Sequence, residues 1–105
     1  MDTYLKQPKD ILDYDIDASN WFSSIPGDDI ESVTITVTSV SEEVPSLVLG
    51  PGVHPEYVLL GNNPVRFKIW VGGGTDYAEY KISCLIKTEQ DREIEHDIKI
   101  KVRDR

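Results

Sequence analysis

The chain has 105 residues and a formal net charge of −8, with an isoelectric point near 4.6. That length supports one domain built from two packed layers around a modest core. The acidic balance excludes nucleic-acid binding, which needs a basic patch to displace phosphate counterions, and argues against docking on anionic lipid. A single cysteine, Cys84, leaves no internal disulfide and fits assembly in a reducing cytoplasm. No apolar run approaches the roughly 18 residues that a membrane helix needs, and the first ten residues lack the pattern of a signal peptide.

Taken in order, residues 1–10 carry no periodicity and include Lys6, Pro8 and Lys9. They are expected to form a flexible or extended arm that either frays or docks on a neighbouring subunit. The domain proper is expected over residues 11–105. In ILDYDID, Leu12, Tyr14 and Ile16 alternate with Asp13, Asp15 and Asp17, which predicts a strand with one wet face. Asp17 or Ser19 is placed to cap a single helical turn carrying Trp21 and Phe22, which Pro26-Gly27 ends. Trp21 is expected to plug one end of the core or to stand out as a contact anchor.

IESVTITVTSV, residues 30–40, predicts a strand with Val33, Ile35 and Val37 on one face and Thr34, Thr36 and Thr38 on the other. Pro45 follows in a polar turn. Short strands are predicted in SLVLG and at Glu56–Leu60, separated by the Gly- and Pro-rich GPGVHP and followed by the turn Gly61-Asn62-Asn63-Pro64. Three longer strands complete the chain: VRFKIWV, AEYKISCLIK and IEHDIKIKV. Phe67, Ile69 and Val71 share one face of the first, and Tyr80, Ile82, Cys84 and Ile86 one face of the second. Ile94, Ile98, Ile100 and Val102 share one face of the third.

About seven strands separated by regular turn signals, with no long helix, predict an all-β fold: an immunoglobulin-like antiparallel β-sandwich. Asp76-x-Ala78-x-Tyr80 opens the penultimate strand as in immunoglobulin domains, with Ile82 in the cysteine position. Tyr80 is therefore a candidate tyrosine corner.

Chemistry is sparse. Asp13-x-Asp15-x-Asp17 begins like a calcium loop, but Ala18 and Ser24 stand where such a loop needs Gly and Glu. His54 and His96 are the only histidines and no Cys/His cluster has zinc spacing, so neither a metal nor another cofactor is expected. Gly72-Gly73-Gly74-Thr75 joins two strands, so it reads as a tight turn rather than a phosphate cradle. No catalytic set is present. The candidate functional residues are therefore contact residues: Val53 and Tyr57 in the irregular stretch Gly50–Asn63, Trp70 on a wet face between charged neighbours, and Tyr77. Trp70 has an alternative role as a cover over the sheet edge.

DYDIDASNWF, DDIESVTITV and the stretch from Val65 to Val102 resemble a family of small bacteriophage virion proteins, the fibre-tail adaptor proteins. The matching positions are Asp17, Ser19 and Trp21, then Trp70, Val71, Gly73, Gly74 and Thr75, then Tyr80, Ile82 and Cys84. The resemblance spans about residues 11–102, and the segment Val44–Asn63 has no clear counterpart in the family pattern. It implies a non-enzymatic structural module of a virion, assembled in the host cytoplasm. Such a module would join tail or neck to fibres through protein contacts, in multiple copies on a symmetric ring. A capsid decoration domain is the alternative within that class. A carbohydrate- or host-receptor-binding sandwich, using exposed Trp70, Tyr57 and Tyr77, is the alternative outside it.

Overall fold

The structure is a computed structural model and describes residues 2–104. Eight strands and one helical turn follow in order: β1 (Asp2–Lys6), β2 (Leu12–Asp17), α1 (Ser19–Phe22), β3 (Ile30–Ser39), β4 (Leu47–Leu49), β5 (Tyr57–Leu59), β6 (Arg66–Gly73), β7 (Glu79–Thr88) and β8 (Glu93–Val102). They form two sheets. One has the order β1-β8-β7-β3; in the other, β6 lies between β2 and the short strands β4 and β5. β2-β6-β4 and β3-β7-β8 correspond to the two sheets of an immunoglobulin-like sandwich, and every pairing is antiparallel except β1 with β8.

Alternation decides which side chains are buried. Phe67, Ile69 and Val71 from β6 meet Ile82, Cys84, Ile86, Ile98, Ile100 and Val102 from β7 and β8, all without solvent exposure. Tyr14 and Ile16 are buried on β2, while Asp13, Asp15 and Asp17 on the same strand are exposed. The turn α1 closes one end: Phe22 is buried, half-buried Trp21 packs edge-on against it at 4.9 Å, and Trp21 acts as a plug. Asp17 accepts the Ser19 N–H at 2.8 Å just ahead of that turn.

The first ten residues depart from expectation. Residues 2–6 are not a free arm but an edge strand, β1, which pairs in parallel with β8 from Asp2 opposite Ile98 to Lys6 opposite Val102. It raises the strand count from seven to eight. Tyr4 lies 4.7 Å from Tyr14, and Lys6 is almost wholly buried. Burial of an ammonium demands acceptors, and Lys6 Nζ donates to the carbonyls of Gly73 at 2.6 Å and Gln7 at 2.7 Å. Burial pushes the Lys6 pKa down, against the opposing pull of Asp10.

Candidate partner-binding surface

β4 and β5 lie end to end along the same edge of β6. Leu47–Leu49 pairs with residues 71–73, and Tyr57–Leu59 pairs with residues 67–69. Residues 50–56 leave the sheet between them, so this is one edge strand interrupted by an excursion. Both sides of its neck are fastened to Trp70. Gly50 N–H donates to the Trp70 carbonyl at 2.9 Å, and Trp70 N–H donates to the Glu56 carbonyl at 3.2 Å. Gly50 has φ +63°, and a Cβ there would stand 2.9 Å from the Glu56 nitrogen, so the neck closes only around glycine.

The excursion folds back over the outer face of the sheet. The His54 ring stacks on the Trp70 indole with centroids 3.7 Å apart and planes 8° from parallel. Pro51 packs over Gly72 so closely that a Cβ on Gly72 would come within 3.0 Å of it. Trp70, on the central strand of its sheet, is thus a half-buried platform for His54. Val53, at the tip, is 96% exposed. Tyr57 enters β5 half-buried and packs against the core, which leaves only part of its ring to a partner. Tyr77 lies elsewhere, in the β6–β7 turn. It is 78% exposed at φ +67°, with the Arg103 guanidinium 5.4 Å from its ring centre. The structure therefore gathers Val53, Tyr57 and Trp70 around one feature and sets Tyr77 apart.

A second presented loop, residues 40–46, falls on the polar turn expected around Pro45, but its anchoring was not anticipated from the sequence. It is held by one carboxylate. Glu42 accepts from the Tyr80 hydroxyl at 2.7 Å, from the Thr75 hydroxyl at 2.5 Å and from the Ser46 N–H at 2.9 Å. The Tyr80 oxygen also accepts the Thr75 N–H at 2.9 Å, the backbone bond of a tyrosine corner. Hydrogen bonds from Thr75, Tyr80 and Ser46 hold the Glu42 carboxyl well below its ordinary value, at about 2. The clamp leaves Val40 and Val44 almost fully exposed. Beside Val40 lies a shallow cavity of about 290 Å³ lined by Thr38, Tyr80, Lys81 and Lys99. The sequence signal was present in Tyr80 and in two valines within a polar turn, but the partner Glu42 is 38 residues away from Tyr80.

The aspartates of β2 face cations across the sheet. Asp13 pairs with Lys68 at 3.0 Å, and the Lys68 hydrogen bond, foremost, holds the Asp13 carboxyl below its usual range. No group of side chains suited to a metal ion occurs among the described residues. Nor is any helix among them long and apolar enough to cross a membrane.

The family described as podophage GP4 fiber-tail adaptor protein gp77 matches residues 6–101. The chain belongs to that family. No curated protein matches it. Membership gives the domain a structural role in a phage particle, among tail and fibre proteins. The matched span takes in the excursion and the clamped loop as well as the core strands.

Proposed function

We propose that this domain is a non-enzymatic adaptor that links the tail or neck of a phage particle to its fibres by protein–protein contacts, in several copies on a symmetric ring. The observation that carries the reading is the family match across residues 6–101. The surface supports it: Val40, Val44 and Val53 stand out on loops tied to the framework by hydrogen bonds and stacking. Side chains held this way lose little conformational freedom on docking, so more of the contact energy appears as affinity. Val53 and the neighbouring faces of Tyr57 and Trp70 form one contact region, and Tyr77 belongs with the clamped loop at the other.

The test is assembly of particles without this chain, examined by electron microscopy and mass spectrometry. Such particles should lack fibres, and supplying the chain in trans should restore them. Supplying Val53→Asp or the double variant Val40→Asp, Val44→Asp should restore them poorly. A full fibre complement in the absence of the chain would refute the adaptor role.

A further inference from the structure

The sandwich has open sheet edges, and three of them are blunted. β1 is short and carries Asp2 and Lys6, with Pro8 just beyond. β2 has an aspartate at every second position. The β4–β5 edge is broken by the excursion with Pro51 and Pro55. Each of these devices discourages another strand from pairing. β3 has none of them. It runs for 10 residues with β-branched residues through its centre, contains no proline or lysine, and holds one charge, Glu31.

β3 pairs with β7 on one side only. On the other, Ile30 N–H donates to the Pro64 carbonyl at 2.8 Å. Among the described residues, no backbone group of residues 32–38 makes a backbone hydrogen bond outside the β7 ladder. The inward side chains follow the same gradient: Val33 is buried, but Ile35 and Val37 are only partly covered. The open edge thus offers both unpaired main-chain groups and apolar surface at alternate positions.

Charge selects the occupant. Residues 10–65 contain ten acidic residues and no lysine or arginine. The edge is flanked by Asp29 and Glu31 at its start, Glu31 already lying 3.9 Å from Lys87 of β7, and by Glu42 and Glu43 just past its end. A second copy paired antiparallel would bring the acidic start of one β3 beside the acidic end of the other. A strand with basic ends meets attraction at both.

We infer that β3 is a docking edge for an extended segment of a partner protein, one alternating β-branched and polar residues between lysine- or arginine-bearing ends, which adds a fifth strand to the sheet. Main-chain hydrogen bonds supply affinity, the partly covered apolar surface of Ile35 and Val37 selects alternate side chains, and the flanking acids set register. The inference deepens the adaptor reading, on which it rests for the partner being another particle protein.

The probe is a synthetic peptide alternating threonine and valine with two lysines at each end. Its counterpart ends in glutamates. Amide NMR and hydrogen exchange on the full chain should place the shifts and new protection in residues 32–38, weakening as salt rises. The double variant Asp29→Lys, Glu43→Lys should melt like the parent, since neither side chain forms an ion pair among the described residues. It should bind the lysine-ended probe about tenfold more weakly and the glutamate-ended probe more tightly, as two surface charge reversals predict. Shifts confined to another edge would overturn the proposal, as would equal binding of both probes by parent and variant. A parent chain that dimerises through β3 without any probe would overturn it in favour of a second copy. If the probe fails while particles lacking the chain still lose their fibres, the edge proposal falls and the adaptor reading stands.

Discussion

Replacing Tyr80 with phenylalanine removes a single oxygen and tests whether the loop 40–46 is held from the core. The side chain is 1% exposed, so the ring stays in place and no cavity opens. The lost oxygen accepts the Thr75 N–H at 2.9 Å and donates to Glu42 at 2.7 Å. Net contributions run about 0.5–1.5 kcal/mol for a neutral hydrogen bond and about 1.5–3 for one to a charged group. Glu42 keeps its bonds from Thr75 and Ser46, so part of the second contribution survives. The expected cost of Tyr80→Phe is about 2 kcal/mol, which for a domain of this size lowers the melting temperature by about 10 °C. Circular dichroism melts measure it, and hydrogen exchange should show faster opening in residues 40–46.

The effect carries a pH signature. The Glu42 carboxyl sits at about 2 in the fold against an ordinary 4.5. A depressed carboxyl stabilises the fold fully above its unfolded value and loses that contribution as pH falls through the folded one. The gap between parent and Tyr80→Phe should therefore be constant near neutrality and narrow as pH falls from about 4.5 toward about 2. The double variant with Glu42→Gln should lose less than the two single losses combined, because the two side chains share one interaction. A Tyr80→Phe protein melting within about 2 °C of the parent, with unchanged exchange in residues 40–46, would refute the clamp.

Two further predictions concern buried groups. Cys84 is without exposure, and burial, then Asp97, pushes its thiol up to about 12, so the folded protein should label with a thiol reagent only at the rate at which it opens. Stoichiometric labelling within seconds would mean that β7 faces the other way. Lys6→Ala should remove the donor to the Gly73 and Gln7 carbonyls and lower the melting temperature by about 5–10 °C, with exchange in β1 speeding up most; unchanged protection of residues 2–6 would show that β1 is held by its backbone alone.

The parts of the fold readable in the sequence are those where side-chain period and burial agree. β2, β3, β6, β7 and β8 alternate clearly, and the faces assigned to Phe67, Ile82 and Ile98 are the buried ones. Asp76-x-Ala78-x-Tyr80 marked the tyrosine corner because its backbone partner, Thr75, lies close in sequence. β1 was not legible. DTYLK has no apolar period, and a lysine at its end signals solvent unless acceptors surround it; here Gly73, 67 residues away, supplies one. A loop also hid the partner of Trp70. Its alternation with Arg66 and Lys68 gave the correct face, but nothing local shows that His54 lies flat on the indole. GPGVHP was readable as a loop. That the strands on either side are halves of one interrupted edge depends on β6, which comes later in the chain.

The two presented loops share a construction. Each uses fixed elements of the sandwich, Trp70 in one case and Tyr80 in the other, to hold small apolar tips away from the core. Val40, Val44 and Val53 together offer far less than the roughly 800 Å² per partner of a standard interface. Exposed loops alone would thus give weak, readily reversed contacts. A long unblunted edge supplies what they lack: directional main-chain bonds along the open stretch of β3, residues 32–38, gained with little side-chain ordering. Under the adaptor reading, a basic strand on β3 fixes the partner's direction, while the valine tips exclude water at the margins. Repetition around a ring multiplies contacts that are individually modest. The division of charge fits this arrangement. The acidic half of the sequence carries β3 and both loops, and among the described residues four lysines of β6, β7 and β8 are paired, Lys68 with Asp13, Lys81 with Asp97, Lys87 with Glu31 and Asp91, and Lys99 with Glu79, while Arg66 and Lys101 are not. The negative potential is therefore left where the partner docks, which raises the rate of encounter with a basic segment and repels a second copy from the same edge.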